Sequence, residues 1–334
     1  MEQVKDIVSQ IKNGNIKPIY LLTGDEPYYI DKISEFIDQN VLDESEKGFN
    51  QVVLYGKDVT IEDIVSQAKR YPMMAERQVV IVKEAQDLNR TIEQLVSYAQ
   101  NPQPSTVLVL NYKYKKIDKR KALYKAISKV GVVFESKKLY DNQVPDWIRR
   151  VLVGQNYGIV PKAAQMLGEF LGTDLSKIDN ELTKLKIILP SGTQITPEHI
   201  EAHIGISKDY NIFELRKAIG QRQVQKAFQI ANYFAENPKA SPFVLTVSSL
   251  FSFFNQLLTL HGLNDKSPRS VASALKINPY FTNEYITAAR HFPMKKVSAI
   301  IADIRTLDLK GKGVNANAIP ESDLLKELLV RVFA

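Results

Sequence analysis

A glycine where an apolar strand hands over to a helix is the usual seat of a nucleotide phosphate. This chain has such a glycine at Gly24, in Ile19-Tyr20-Leu21-Leu22-Thr23-Gly24-Asp25-Glu26-Pro27. A loop of the form G-x-x-x-x-G-K-[ST] turns backbone amides onto phosphate at its second glycine, reaches the outer phosphates with its lysine and holds magnesium with its hydroxyl. Counted from Gly24, those three places hold Tyr29, Ile30 and Asp31. Asp25 and Asp31 add negative charge where a polyanion would lie, and Lys32 comes two residues late, about 200° around a helix. The metal-binding half of such a site, a strand ending in Asp-Glu, is replaced by Val79-Val80-Ile81-Val82 running into Lys83-Glu84. A lysine in that position repels the ion. A Gly-Asp turn alone is ordinary loop chemistry; two failed motifs in the expected order predict a nucleotide-binding scaffold that has lost its nucleotide.

Other reactive constellations are absent. His199 and His203 have a metal-chelating spacing on an expected helix, but Ile200 stands where H-E-x-x-H has its glutamate, and no third ligand lies nearby. No G-x-S-x-G elbow occurs and there is no cysteine, which excludes disulfides, thiolate zinc and cysteine nucleophiles and fits a reducing cytoplasm. No catalytic residue, metal or cofactor is expected. The 334 residues, 44% hydrophobic, are enough for two or three domains. The net charge of +7 permits contact with nucleic acid without requiring it. The start, Met1-Glu2-Gln3-Val4-Lys5-Asp6, reads as a charged amphipathic helix rather than a signal peptide.

The elements that would position these residues follow from periodicity. Short β-branched runs at Ile19 to Leu22, Gln51 to Tyr55, Gln78 to Val82, Thr106 to Leu110 and Val132 to Phe134 alternate with helical patterns, which predicts a parallel α/β sheet over residues 1–140. Asp58 or Thr60 can cap a helix from Ile61 to Lys69. From Asp141 no further strand is expected. Pro145, Pro161 and Pro197 open helices there, with Trp147 on a buried face. Residues 141–208 read as a small helical domain and 209–334 as a second. Between Ala240 and Asn264 there is no Lys, Arg, Asp or Glu. The interspersed Ser, Thr, Asn and Gln argue against a membrane span and for a helix packed on several neighbours, in the chain's own core or at a subunit interface through Phe243, Val247, Phe251 and Phe254.

These features together resemble the delta-subunit family of the bacterial DNA polymerase III clamp loader over the full length. The marks are Ile19 to Glu26, Pro72-Met73-Met74-Ala75-Glu76-Arg77-Gln78, Lys116-Ile117-Asp118-Lys119-Arg120-Lys121, Asn180-Glu181-Leu182-Thr183-Lys184-Leu185 and Asp308-Leu309-Lys310-Gly311. The resemblance implies an AAA+-like α/β first domain with a degenerate P-loop and no ATPase activity, a helical lid, and an all-α C-terminal collar domain. The implied partners are the beta sliding clamp, the gamma/tau ATPase subunits, the delta-prime subunit and primed-template DNA, with no membrane. The implied role is to bind and open the clamp in DNA replication, in the cytoplasm, as a non-catalytic subunit of the polymerase complex. The family's clamp-binding element, a pair of bulky apolar residues before the third strand, falls on Met73 and Met74, with Tyr71 and Pro72 as supporting candidates. Methionines are flexible and polarisable enough to fill a partner's pocket; packing in this chain's own core is the other reading.

Lys113, Lys115, Lys116, Lys119, Arg120 and Lys121 face a single local acid, Asp118, with Tyr112 and Tyr114 between them. That pattern could track phosphates and stack bases, or form a solvated loop or meet acidic partners. Tyr280 and Phe281 are a second candidate contact for a DNA end, or core. An ATP-driven enzyme with an unorthodox loop and a basic nucleic-acid scaffold are the competing functions.

Overall fold

The computed structural model describes residues 2–238, 241–314 and 319–334. Met1 and Ala240, each the start of a segment discussed above, lie outside the described residues. The chain forms two compact units, Met1–Leu139 and Tyr140–Ala334.

In the first unit, α1 (Glu2–Lys12), β1 (Ile19–Gly24), α2 (Pro27–Asn40), α3 (Glu44–Asn50), β2 (Gln51–Tyr55), α4 (Ile61–Ala68), β3 (Gln78–Lys83), α5 (Val96–Gln100), β4 (Thr106–Lys113), α6 (Ala122–Val130) and β5 (Val132–Ser136) follow in order. The five strands form one parallel sheet in the order β2-β3-β4-β1-β5. A parallel sheet is covered on both faces, so its inner strands are apolar on both sides. Residues alternate between two cores accordingly. Ile19, Leu21, Val80, Val82, Leu108 and Leu110 pack with α4, α5 and α6. Tyr20, Leu22, Val79, Ile81, Val107 and Val109 pack with α1 and α2. All five expected strands are present, and β1, β3, β4 and β5 run one to three residues further than the apolar runs indicate. Their extensions carry Gly24, Lys83, Lys113 and Ser136 to the carboxyl edge of the sheet, where open α/β folds bind ligands. Of the two candidate caps of α4, Thr60 takes the role, its hydroxyl accepting from the Asp63 N–H at 3.2 Å.

The second unit contains α7 (Val144–Val153), β6 (Gly158–Ile159), α8 (Pro161–Leu171), α9 (Leu175–Ile188), β7 (Gln194–Ile195), α10 (Pro197–Ile204), α11 (Ile212–Gly220), α12 (Val224–Glu236), α13 (Phe243–His261), α14 (Pro268–Leu275), α15 (Thr282–His291), α16 (Met294–Gly311) and α17 (Glu321–Phe333). Prolines occupy the first turns of α7, α8 and α10, and Trp147 is buried. The expectation of no strand after Asp141 is corrected by the parallel pair β6 and β7, each of two residues. Two residues are too short a run to give a period. A core from Ile212 to Val332 is built on α13.

That helix is the one described segment long and apolar enough to cross a membrane, with a mean hydropathy of 1.5. Phe243, Thr246, Val247, Leu250, Phe253, Phe254, Leu257 and Leu260 are nonetheless buried in its own unit. Three of the four residues offered above for a subunit interface, Phe243, Val247 and Phe254, are therefore intrachain core. Phe251 is exposed, together with Val244 and Leu245.

Candidate functional site

At the carboxyl edge of the sheet the phosphate position is filled by the chain itself. Tyr114 adopts a left-handed backbone conformation (φ 59°), and this turn brings Lys115 back across the end of β1. The Gly24 N–H donates to the Lys115 carbonyl at 3.0 Å, and the Thr23 hydroxyl donates to the same oxygen at 3.0 Å. The Asp25 N–H donates to the Ser136 carbonyl at 3.0 Å. Both amides that could cradle a phosphate are thus committed to backbone. Gly24 itself has φ 130°, and a Cβ there would lie 1.9 Å from the Ser136 oxygen. The glycine is required by the close approach of β5. Glu26, 4% exposed, caps α2, its Oε1 accepting from the Tyr28 N–H at 3.1 Å. A carboxylate therefore sits at the helix N-terminus, the place that favours an anion.

The other substituted positions follow the same logic. Ile30 is fully buried in the core under α2, and Tyr29 packs at its margin. Asp31 and Glu84 both pair with Lys113, whose Nζ lies 2.8 Å from one and 3.0 Å from the other. Burial works against the charge on Lys113, but its bonds to Asp31 and Glu84 outweigh this and hold its pKa above the ordinary value. Glu84 is likewise held low: burial opposes ionisation, and hydrogen bonds from Gln86 and Lys113 overcome it. Lys83 is exposed at the end of β3. Internal ion pairs occupy the space where phosphate and magnesium would need opposite partners.

The basic run is correspondingly less basic than its sequence. Lys113 is only 12% exposed in its side chain and is removed from the candidate nucleic-acid contacts. Lys116 lies 3.1 Å from Asp25 and 3.3 Å from Glu135, Lys119 lies 3.1 Å from Glu135, and Lys121 lies 4.0 Å from Glu93. Arg120 pairs with Asp118 at 2.7 Å and pulls that carboxyl down to about 2. The single acid read locally becomes several because the fold gathers Asp25, Asp31, Glu84, Glu93 and Glu135 around the loop. Tyr112 is buried, its hydroxyl donating to Asn89 at 2.7 Å, whereas Tyr114 is exposed. Of the second aromatic pair, Phe281 is core, edge-on to Phe213 at 5.1 Å, which corrects its candidacy; Tyr280 is exposed. His199 serves as a cap, its Nδ1 accepting from the Thr196 N–H at 3.2 Å.

The methionine pair lies on the opposite kind of surface. Between α4 and β3, Tyr71 is 78% exposed, Met73 56% and Met74 102%, with Pro72 half-buried. The core-packing reading of the pair is therefore excluded. The segment is nonetheless well held. At its start, the Gln78 side-chain amide donates to the Arg70 carbonyl at 2.5 Å and to the Thr106 hydroxyl at 2.7 Å. In its middle, the Asn50 amide, 3% exposed, accepts from the Met73 N–H at 2.6 Å and donates to the Met73 carbonyl at 3.0 Å. Met74 then takes a left-handed conformation, φ 54°, unusual for a residue with a Cβ. Nothing in the sequence marks Asn50 or Gln78 as a support of this turn. Asn50 lies 23 residues from its partner, and no local pattern joins them.

Two family models match. One, DNA polymerase III, delta subunit, covers residues 20–137; the other, DNA polymerase III delta subunit, C-terminal domain, covers residues 209–329. The chain belongs to the delta-subunit family of DNA polymerase III. A delta-family relative, DNA polymerase III subunit delta of Bacillus subtilis (strain 168), is 28% identical over 321 residues, 92% of each chain. The solved structure of the Bacillus subtilis DNA clamp loader delta protein matches with a TM-score of 0.57 at 25% identity, over 99% of each chain. For a delta-family chain, the parallel sheet flanked by helices and the helical C-terminal region agree with the fold that the resemblance implies.

Proposed function

We propose that this chain binds and opens the beta sliding clamp within a DNA-replication clamp loader, and that Met73 and Met74 are its clamp contact. One observation carries the reading: two large apolar side chains stand in solvent on a turn fixed by Asn50 and Gln78. Exposing them has a hydrophobic cost that a partner's pocket would remove. Tyr71 stands beside them as a supporting contact.

In this reading the chain has no catalysis and no nucleotide of its own. The gamma/tau ATPase subunits bind and hydrolyse ATP, and that cycle governs when the methionine turn reaches the clamp. Residues 1–140 serve the clamp, residues 141–208 form the lid, and residues 209–334 join the collar with the ATPase and delta-prime subunits. The exposed, uncharged side of α13, with Val244 and Phe251, is the collar contact. Lys115, Lys116, Lys119, Arg120, Lys121 and Tyr280 are left as contacts for primed-template DNA or acidic partners in the cytoplasm.

The test is capture of the cognate clamp by the full chain with all nucleotide omitted. Each methionine buried stabilises a complex by roughly 1.5 to 3 kcal/mol, less for Met73, which is already partly covered. The double variant Met73→Ala, Met74→Ala should then bind about two to three powers of ten more weakly, with its denaturation midpoint unchanged. Wild-type affinity in that variant refutes the proposal.

A further inference from the structure

We infer that Asn50 is a positioning residue for the methionine turn: its buried side-chain amide holds the Met73 peptide so that Met73 and Met74 are presented already ordered. The inference rests on the clamp-contact reading above and adds a residue that touches no partner.

Asn50 ends α3, and β2 begins at the next residue. Its Nδ2 donates both to Glu46 O, one turn back in α3, at 3.1 Å and to Met73 O at 3.0 Å, while its Oδ1 accepts from Met73 N at 2.6 Å. An amide is the one side-chain group of this length that can donate and accept side by side. It thus pairs with the Met73 peptide as a neighbouring strand would. The Met73 backbone has this partner although its side chain is largely in solvent, so the restraint acts on the backbone while leaving the thioether free to enter a pocket. The next residue, Met74, adopts φ 54° with its side chain fully exposed. A left-handed methionine persists only where surrounding structure imposes it, and the Asn50 pairing is the adjacent restraint. Ordering a contact segment before binding removes an entropy cost from association.

Without the pairing, the turn would populate its binding-competent form only part of the time, and apparent affinity falls by that fraction. Asn50→Ala should weaken clamp binding about tenfold, the loss expected for roughly one net hydrogen bond. The experiment measures clamp affinity of the full chain for Asn50→Ala, for Met73→Ala, Met74→Ala and for the triple variant. It also follows amide exchange at Met73 and at Val79 to Val82. The expected result is about a tenfold loss in the otherwise wild-type chain, no further loss in the triple variant relative to the double, and faster exchange at Met73 with β3 still protected. Unchanged affinity in Asn50→Ala, or an equal loss in both backgrounds, overturns the inference, the second because it marks general destabilisation. If the double variant binds like wild type, the clamp-contact reading falls and this inference with it. If the double variant loses binding while Asn50→Ala does not, the inference alone falls.

Discussion

Replacing Met74 by glycine and by alanine should separate its role in binding from its effect on the fold, with opposite signs. Met74 is 102% exposed and has φ 54°. Truncation to alanine removes almost no buried surface and leaves a Cβ in the left-handed region, so Met74→Ala should change stability by less than about 0.5 kcal/mol. Glycine relieves a strain of about 1 to 2 kcal/mol and costs about 0.5 to 1 kcal/mol of added unfolded-state freedom. Met74→Gly should therefore be at least as stable as Met74→Ala, by up to about 1.5 kcal/mol, the reverse of their order in a helix. Both should lose the clamp contact of one methionine, about 1.5 to 3 kcal/mol, or roughly 10- to 150-fold in affinity. Trp147, the chain's one tryptophan, lies in the second unit, so its fluorescence does not follow the first. Denaturant-dependent amide exchange at Val107 to Val109 in β4 does. Glycine less stable than alanine would refute the assigned strain. A loss of about 2 to 5 kcal/mol in Met74→Ala, the value for a core methionine, would refute the exposed turn itself.

Calorimetry of the full chain with Mg-ATP should show no saturable binding, since the Gly24 and Asp25 amides and Lys113 are already engaged; micromolar binding lost on changing Gly24 to Asp31 would overturn this. Lys113→Met should cost about 1 to 3 kcal/mol at neutral pH, with the Glu84 share discounted because that carboxylate is about one-third exposed. Its pH profile should change as well. The Glu84 pKa is depressed, so its contribution is present above 4.5 and lost as pH falls through the folded value; the Lys113 pKa is raised, so its contribution is present below 10.5 and lost as pH rises through the folded value. The acid-side loss of stability should therefore shrink in Lys113→Met, and denaturation midpoints measured between pH 3 and pH 7, roughly the range of carboxylate titration, would show it. On α13, Phe254→Ala should destabilise the second unit by about 3 to 5 kcal/mol, read by Trp147 fluorescence. Phe251→Glu should leave that midpoint nearly unchanged and abolish co-purification with the ATPase subunits; normal assembly would remove the collar assignment from this face.

The sequence by itself determined the elements whose signals are local. Apolar β-branched runs placed all five sheet strands, prolines in first turns placed α7, α8 and α10, and the residues after Gly24 showed that the phosphate-binding chemistry was missing. These are properties of neighbours along the chain, and a period of two or a proline's fixed φ expresses them without reference to the rest of the fold. Partnership was another matter. Lys113 reads as one of six free bases until β1, β3 and β4 bring Asp31 and Glu84 beside it, from 82 and 29 residues away. Phe254 and Phe251 look alike in an uncharged run, yet the rotation of α13 against its neighbours buries one and exposes the other. Met73 and Met74 could have been core or contact on composition alone. Tertiary structure puts them in solvent and not in the core because the turn that displays them is held by Asn50 and Gln78, and Coulombic pairing, burial and long-range hydrogen bonds depend on distances in space that one-dimensional spacing does not carry.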